Sequence, residues 1–357
     1  MRIAILTVGW TGYNDAACRM LAERGVEILV VHEPADRDTA YATHTLAQYA
    51  TEHVWHGEPA PGEVDDALAR FRPDAVLMHS WHYKPYRAAI KSLPAGTLRV
   101  LWMDNLWRST VRQWVGRAVA PLWVKPLFDA VMVPSDRTEF FARRLGFDGA
   151  DVIRGSLSAD TTLFGSPART GEELASRRRF LAGLRLVHHK GADVLAEAYR
   201  RYRTLVDDPW DLQVVGLGEM AAELEGIDGI ELLGFRQPHE VADLMRTASA
   251  LVVPSRIDPF GVVVHEGVVS GLPIVSTDLV GAGPVYVQDG QNGWIVPSDD
   301  ADALAGAMAR MSDIGPERLA HMSDVSRALG RRTSSTGWAQ NVHEQLQWRL
   351  AMVRQDL

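Results

Sequence analysis

Two α/β domains, each a parallel sheet with helices on both faces, are predicted for this chain by its length and by two patterns in its residues. The 357 residues are about twice the usual 100 to 200 per domain. Runs of Val, Ile and Leu recur without polar alternation, as parallel strands covered on both faces require. Amphipathic stretches alternate with these runs, and Gly, Pro, Asp and Asn mark the breaks. Apolar residues make up 46% of the chain and charged residues 23%, a balance that excludes disorder. No apolar run approaches the 18 or more residues of a membrane-spanning helix. Met1-Arg2 leads directly into a strand, not into a signal peptide. The one cysteine, Cys18, cannot form an internal bridge, which fits a reducing compartment and makes a cytoplasmic location the expectation.

The first half predicts strands near 2–8, 27–31, 75–79, 98–103 and 130–133, each followed by a helical segment. The first helix is placed at 14–24, where Ala17, Met20 and Leu21 share a face and Gly25 supplies the stop. Between 155 and 179 the periodicity fails, and Gly165-Ser166-Pro167 lies in a turn-rich stretch. The domain boundary is therefore placed at 165/166, giving a first Rossmann-like domain over 1–165. The pattern restarts with a strand at 180–184, a helix at 192–205, strands at 212–215 and 230–233, a helix at 241–248 and a strand at 251–253. A second Rossmann-like domain over 166–335 follows. A last helix at 340–353 aligns Val342, Leu346, Leu350 and Val353, so 336–357 forms a terminal segment able to pack back on the first domain.

The segment richest in chemistry is Pro254-Ser255-Arg256-Ile257-Asp258-Pro259-Phe260-Gly261-Val262-Val263-Val264-His265-Glu266-Gly267. If a helix begins near Gly261, Asp258 lies in the preceding loop and Glu266 about one and a half turns in. The amides of Phe260, Gly261 and Val262 are then free to bind an anion, while the two carboxylates accept from hydroxyls. Phosphate plus polyol suggests a sugar nucleotide; the plainer reading is a capping Asp258 and a solvated Glu266. A second segment, Gly183-Leu184-Arg185-Leu186-Val187-His188-His189-Lys190-Gly191, puts Arg185 and Lys190 at the carboxyl end of a strand. A planar fork and a point charge there suit a diphosphate; two ordinary surface cations are the alternative.

Together these segments resemble the retaining glycosyltransferases of family 4, whose two-domain architecture, with parallel sheets facing a central cleft, is called GT-B. The resemblance covers about 180–308. It is carried by Leu184-Arg185-Leu186, Lys190-Gly191, Val215-Gly216-Leu217-Gly218, Leu233-Gly234-Phe235, Asp258-Pro259-Phe260-Gly261, Gly271-Leu272-Pro273-Ile274-Val275 and Asp289-Gly290-Gln291-Asn292-Gly293. The family pairs two glutamates eight positions apart, and here Asp258 replaces the first. The resemblance implies donor-sugar contact by Asp258, ribose contact by Glu266, and diphosphate contact by Arg185, Lys190 and the amides of Phe260, Gly261 and Val262. It also implies base recognition near Gly234-Phe235, and places Gly12, in the loop Gly9-Trp10-Thr11-Gly12-Tyr13, facing the diphosphate. The family's histidine near the reacting centre is absent from Trp102-Met103-Asp104-Asn105. Asp104 becomes the acceptor-side candidate, unless it caps a helix at 107–120, with His79 and His82 as the others. A valine, Val285, stands where the family commonly has a glutamate.

The implied reaction moves a sugar from a nucleotide diphosphate sugar to an acceptor hydroxyl with retention. Cations and helix amides stabilise the leaving group, so neither a cofactor nor a metal is expected. Asp36-Arg37-Asp38 and Asp300-Ala301-Asp302 are not placed after a suitable strand, and the second reads as a helix cap. Two other readings exist: a nicotinamide oxidoreductase, from Gly216-Leu217-Gly218 with Ala221, and a non-catalytic homologue that binds or regulates a partner.

The net charge of -8 is unevenly spread. Residues 81–127 hold eight cations (Lys84, Arg87, Lys91, Arg99, Arg108, Arg112, Arg117, Lys125) against the single acid Asp104. Val111, Trp114, Val115, Ala118 and Leu122 share a helical face there, with Trp107 and Trp123 at the ends. Residues 107–125 thus read either as a helix at the inner membrane surface, with a glycan, natural-product or lipid-linked acceptor, or as a helix covering the sheet. No basic-aromatic module for nucleic acid is present.

Overall fold

The computed structural model describes residues 1–10, 12–33, 46–55, 59–60, 62–79, 81–155 and 157–355. The chain divides into two compact units, one of Met1–Ser158 with Ser335–Leu357 and one of Ala159–Ser334. The division falls at 158/159, not at 165/166, because residues 159–165 are tied into the second unit. Ala159 N–H donates to His265 Nδ1 at 2.9 Å, Ser270 Oγ to Phe164 O at 2.9 Å and Arg246 Nη2 to Leu163 O at 2.8 Å. The second crossing lies at 334/335, one residue before the expected 335/336.

The first unit contains, among the described residues, a seven-stranded sheet. Its strands are β1 (Arg2–Leu6), β2 (Glu27–His32), β3 (Thr51–Val54), β4 (Ala75–Met78), β5 (Leu98–Trp102), β6 (Ala130–Val133) and β7 (Val152–Arg154), in the order β3-β2-β1-β4-β5-β6-β7. Every neighbouring pair is parallel. The central strands are buried along their whole length, as unbroken apolar runs require when helices cover both faces. The second unit has a six-stranded sheet of β8 (Arg179–Gly183), β9 (Asp211–Val215), β10 (Ile230–Gly234), β11 (Ala250–Val253), β12 (Ile274–Thr277) and β13 (Gly293–Val296), ordered β10-β9-β8-β11-β12-β13 and again parallel. Both orders reverse beside the first strand of the unit, and ligands of open α/β sheets bind at the carboxyl ends of strands at such a switch point.

The first helix covers Gly12–Ala22, and Gly25 ends the following turn at φ +78. The last helix runs over Ser335–Gln355 and belongs to the first unit. Arg349 donates to Ala150 O at 2.7 Å and Val152 O at 3.2 Å, and Trp338, 5% exposed, lies 6.3 Å from Trp102.

Helix Val111–Trp123 departs from expectation. It starts four residues later than 107, because Ser109 takes a positive φ of 54 and Thr110 caps the helix through a reciprocal bond with Gln113. Asp104 is therefore not its cap. Nor does the helix cover the sheet: Ala120 is its one buried residue, whereas Val111 is 81% and Leu122 86% exposed.

Candidate functional site

In the second unit the chain leaves β8 at Gly183, forms one 3-10 turn over His188–Lys190, and enters helix Ala192–Leu205. Gly191 makes this turn possible. Its φ is +72, and a Cβ there would lie 2.3 Å from Pro254 O, so the turn presses directly on the loop after β11. The contact is reinforced by Ile257 N–H donating to His189 O at 3.1 Å. That loop ends in helix Val262–Val269, whose N-cap Gly261 has φ 80 and supplies no side-chain cap. A Cβ on Gly261 would meet Val280 at 2.7 Å and the Asp258 carboxyl at 3.3 Å. The helix begins where the sequence placed it, and no side chain of its N-cap residue bonds to its first amides.

Lys190 Nζ donates to Asp258 Oδ2 at 2.6 Å, and both side chains are largely covered, 15% and 12% exposed. Burying a charged pair is favourable only with good geometry and further polar support. The loop that carries Asp258 is also pinned, with its N–H donating to Leu279 O at 3.1 Å and its carbonyl accepting from Gly281 N–H at 3.0 Å. Arg185 is exposed and reaches His189 Nε2 at 3.5 Å. Burial, with the cations Lys190 and Arg185 beside it, lowers the pKa of His189. Arg256, not singled out from sequence, locks the scaffold: it is bidentate to Asp193 at 2.6 and 2.7 Å, reaches Asp299 at 2.7 Å and donates to His188 O at 2.9 Å. Its invisibility is natural, because an arginine in a quoted motif carries no mark of its partners in distant segments.

Glu266 projects from the same helix, and burial raises its pKa to about 7. The neighbouring His265 is buried and stacked on Tyr286, with centroids 4.4 Å apart. It accepts from Ala159 N–H and donates from Nε2 to Gly330 O at 3.1 Å, and burial lowers its pKa to about 4. Phe260 is 2% exposed and packs edge-on to Tyr286. Its ring is therefore core, which leaves its backbone for a ligand. Phe235 and Val262 are partly covered.

In the first unit Gly12 opens its helix after β1, and Thr11 lies outside the described residues. His79 follows β4 and packs tilted against Trp102 at the end of β5, with centroids 4.2 Å apart and the rings at 41°. Its Nε2 is buried without a hydrogen-bond partner, and burial lowers its pKa to about 3. Asp104 follows two residues beyond Trp102 and is partly covered, so it shares the carboxyl end of the sheet with His79. His82 is exposed on the loop before helix Lys84–Lys91. Trp10 Nε1, Asn14 Oδ1, Trp102 Nε1 and Trp338 Nε1 are also buried without a partner.

Two sequence alternatives are resolved. Gly216-Leu217-Gly218 leads into the 3-10 turn Ala221–Glu223 and then β10, without the α-helix a dinucleotide pyrophosphate needs. Asp300 caps helix Ala301–Ser312 by accepting from Ala303 N–H at 2.9 Å. Asp36-Arg37-Asp38 lies outside the described residues. Among the described residues no cluster of three or more His, Cys, Asp or Glu could hold a metal ion.

The fold is that of the GT-B class, two Rossmann-like units with parallel sheets, and residues 174–327 match the family described as glycosyl transferases group 1. WcaL of Salmonella typhimurium, whose name assigns it to colanic acid biosynthesis as a glycosyltransferase, is 36% identical over 150 residues, covering 38% of this chain and 36% of that protein. The D-inositol 3-phosphate glycosyltransferase of Streptomyces griseus is 36% identical over 126 residues, or 34% of this chain and 25% of that protein. The chain thus spans about a third or less of the length of these two curated relatives. Among solved structures, Anabaena HepE in complex with UDP superposes with a TM-score of 0.75 over 97% of this chain and 100% of that one, at 19% identity.

Proposed function

We propose that this protein is a glycosyltransferase that moves a sugar from a nucleotide diphosphate sugar to an acceptor hydroxyl, with retention of configuration and without a bound metal. The observation that carries the reading is the covered Lys190–Asp258 pair at 2.6 Å beside a helix start that no side chain caps. Departure of a nucleoside diphosphate leaves charge on the phosphates. Lys190, Arg185 and the amides of Phe260, Gly261 and Val262 meet that charge with fixed positive groups, the arrangement that lowers such barriers most. Lys190 can share its ammonium between Asp258 and a phosphate oxygen, since it has three N–H donors. Asp258 keeps a second oxygen for a sugar hydroxyl. Glu266, once ionised, accepts from the ribose. Phe235 and the adjoining backbone suit the base.

On the acceptor side Asp104 and the neutral His79 are the groups able to accept a proton or orient a hydroxyl. The acceptor attacks from the face the leaving group departs, which needs no protein nucleophile. The groups that supply charge stabilisation belong to the chain itself, so no cofactor beyond the donor is required.

The test is release of nucleoside diphosphate from a panel of UDP-, GDP- and ADP-sugars, with Lys190→Ala in parallel and proton NMR of the product anomer. Release by the wild type, its loss in the variant, a retained anomer and indifference to EDTA are expected. No release from any donor would instead support a binding protein, and an inverted anomer would sink the stereochemical claim.

A further inference from the structure

We infer that helix Val111–Trp123 is a docking surface for an anionic lipid bilayer, a property that does not depend on glycosyl transfer. The helix is amphipathic in the wrong sense for a soluble protein. At about 100° per residue, Trp114, Ala118, Val111, Leu122, Val115 and Val119 fill one continuous arc of about 140°. All six are exposed, from 46% for Val119 to 86% for Leu122 among the large ones. The face turned toward the protein is narrow: Gln113 and Gly116 are partly covered, and Ala120 alone is buried. A helix whose large apolar side chains face outward has no folding reason to keep them.

The charges around the arc say what covers it. Arg117 and Arg112 lie at its two edges, both exposed, and the helix contains no acid. Two cations sit over aromatic rings of the helix, Arg117 over Trp114 at 5.3 Å and Arg87 over Trp123 at 4.5 Å. Arg117 is exposed at this rim, so its guanidinium can cover the Trp114 ring and still meet phosphate oxygens. Tryptophan and arginine ringing an aliphatic centre is the composition of a segment lying in the headgroup region, with Val111, Val115 and Leu122 reaching the acyl boundary. A protein partner would have to supply a complementary acidic rim around an apolar trough; an anionic membrane supplies both. No helix among the described residues is long and apolar enough to cross a membrane, so the contact is peripheral.

The test is co-sedimentation of the full chain with vesicles of phosphatidylcholine alone or mixed with phosphatidylglycerol, beside the variants Leu122→Glu, Trp114→Glu and Arg112→Glu/Arg117→Glu. All four positions are exposed, and thermal melts identical to the wild type confirm that the variants fold. Binding to the mixed vesicles alone is expected, weakened at high salt. Loss of about fivefold per cation removed and a drop of tenfold or more for each apolar-to-Glu change are also expected. Three results would overturn the inference: no binding, binding indifferent to lipid charge, or a mass that doubles with concentration in the wild type but not in Leu122→Glu, which would make the face a self-association surface. Donor turnover, measured on the same samples without lipid, keeps this result separate from the catalytic reading.

Discussion

At the carboxyl ends of β8 and β11 two ion-paired groups stand close to the strand ends: Lys190 holds Asp258, and Arg256 holds Asp193 and Asp299. At the same ends of β1, β4 and β5, Trp10 Nε1, Asn14 Oδ1, His79 Nε2 and Trp102 Nε1 are buried without a hydrogen-bond partner. Buried polar atoms left unpaired cost free energy and are uncommon in native proteins. The two units thus differ in how the polar groups at their sheet ends are satisfied. A diphosphate calls for charges fixed in advance, and ion pairs fix them.

Four changes break or sharpen this contrast. Trp338→Ala attacks the first unit alone, by removing a ring that is 5% exposed and packs near Trp102. A loss of about 3–5 kcal/mol in urea denaturation is expected, with donor affinity of the second unit retained. Lys190→Ala attacks the second unit and should reduce nucleoside diphosphate release about a hundred- to a thousandfold, while Lys190→Arg keeps part of it. A Lys190→Ala protein with normal turnover would show that the pair is scaffold only.

Glu266 supplies the pH test. Burial raises its pKa from 4.5 to about 7, so the free protein carries the carboxylate form only above that value. Donor affinity should fall about tenfold from pH 8 to pH 6 as the ionised fraction declines, and Glu266→Gln should flatten the profile. The stability sign is opposite: a raised folded pKa contributes fully below 4.5 and the contribution is lost as pH rises through 7. Glu266→Gln is therefore expected to be more stable than the wild type at pH 8. The smallest effect is expected of His79→Phe, which keeps a ring against Trp102 and removes the nitrogens. A turnover loss of about tenfold with unchanged melting marks a polar role, and unchanged turnover marks a packing one.

Much of this was legible in the residues. Helix Ala192–Leu205 and strand β6 fall where apolar periodicity put them, and the helix after Gly261 opens at the expected turn. What escaped detection has physical causes. β3, Thr51-Glu52-His53-Val54, is an edge strand with three exposed residues and no apolar run, and β7 is three residues long. Only Ile274-Val275 of β12 and Gly293 of β13 fall within the sequence motifs, and a motif fixes identity and not conformation. The helix Pro238–Thr247 starts three residues ahead of the predicted 241, because Gln237 and Glu240 close a capping box there. Helix Val111–Trp123 shows the deeper limit. Its apolar stripe was plain, yet a stripe reads the same whether it faces a core or the solvent, and only the exposure of Leu122 and Val111 tells which. Likewise the sequence offered Lys190 and Asp258 as separate contacts, and their mutual bond depends on a 68-residue separation that folding closes.

The return of Ser335–Gln355 to the first unit makes that unit discontinuous along the chain. During synthesis from the amino end, the surface around Trp102 and the backbone of β7 remain bare until all 176 residues of Ala159–Ser334 have emerged. The inserted unit can complete its own sheet first, and a ribosome-bound intermediate with one finished half and one waiting half is the expected order of assembly. Truncation before Ser335 would freeze the molecule at that stage, with an aggregation-prone first half.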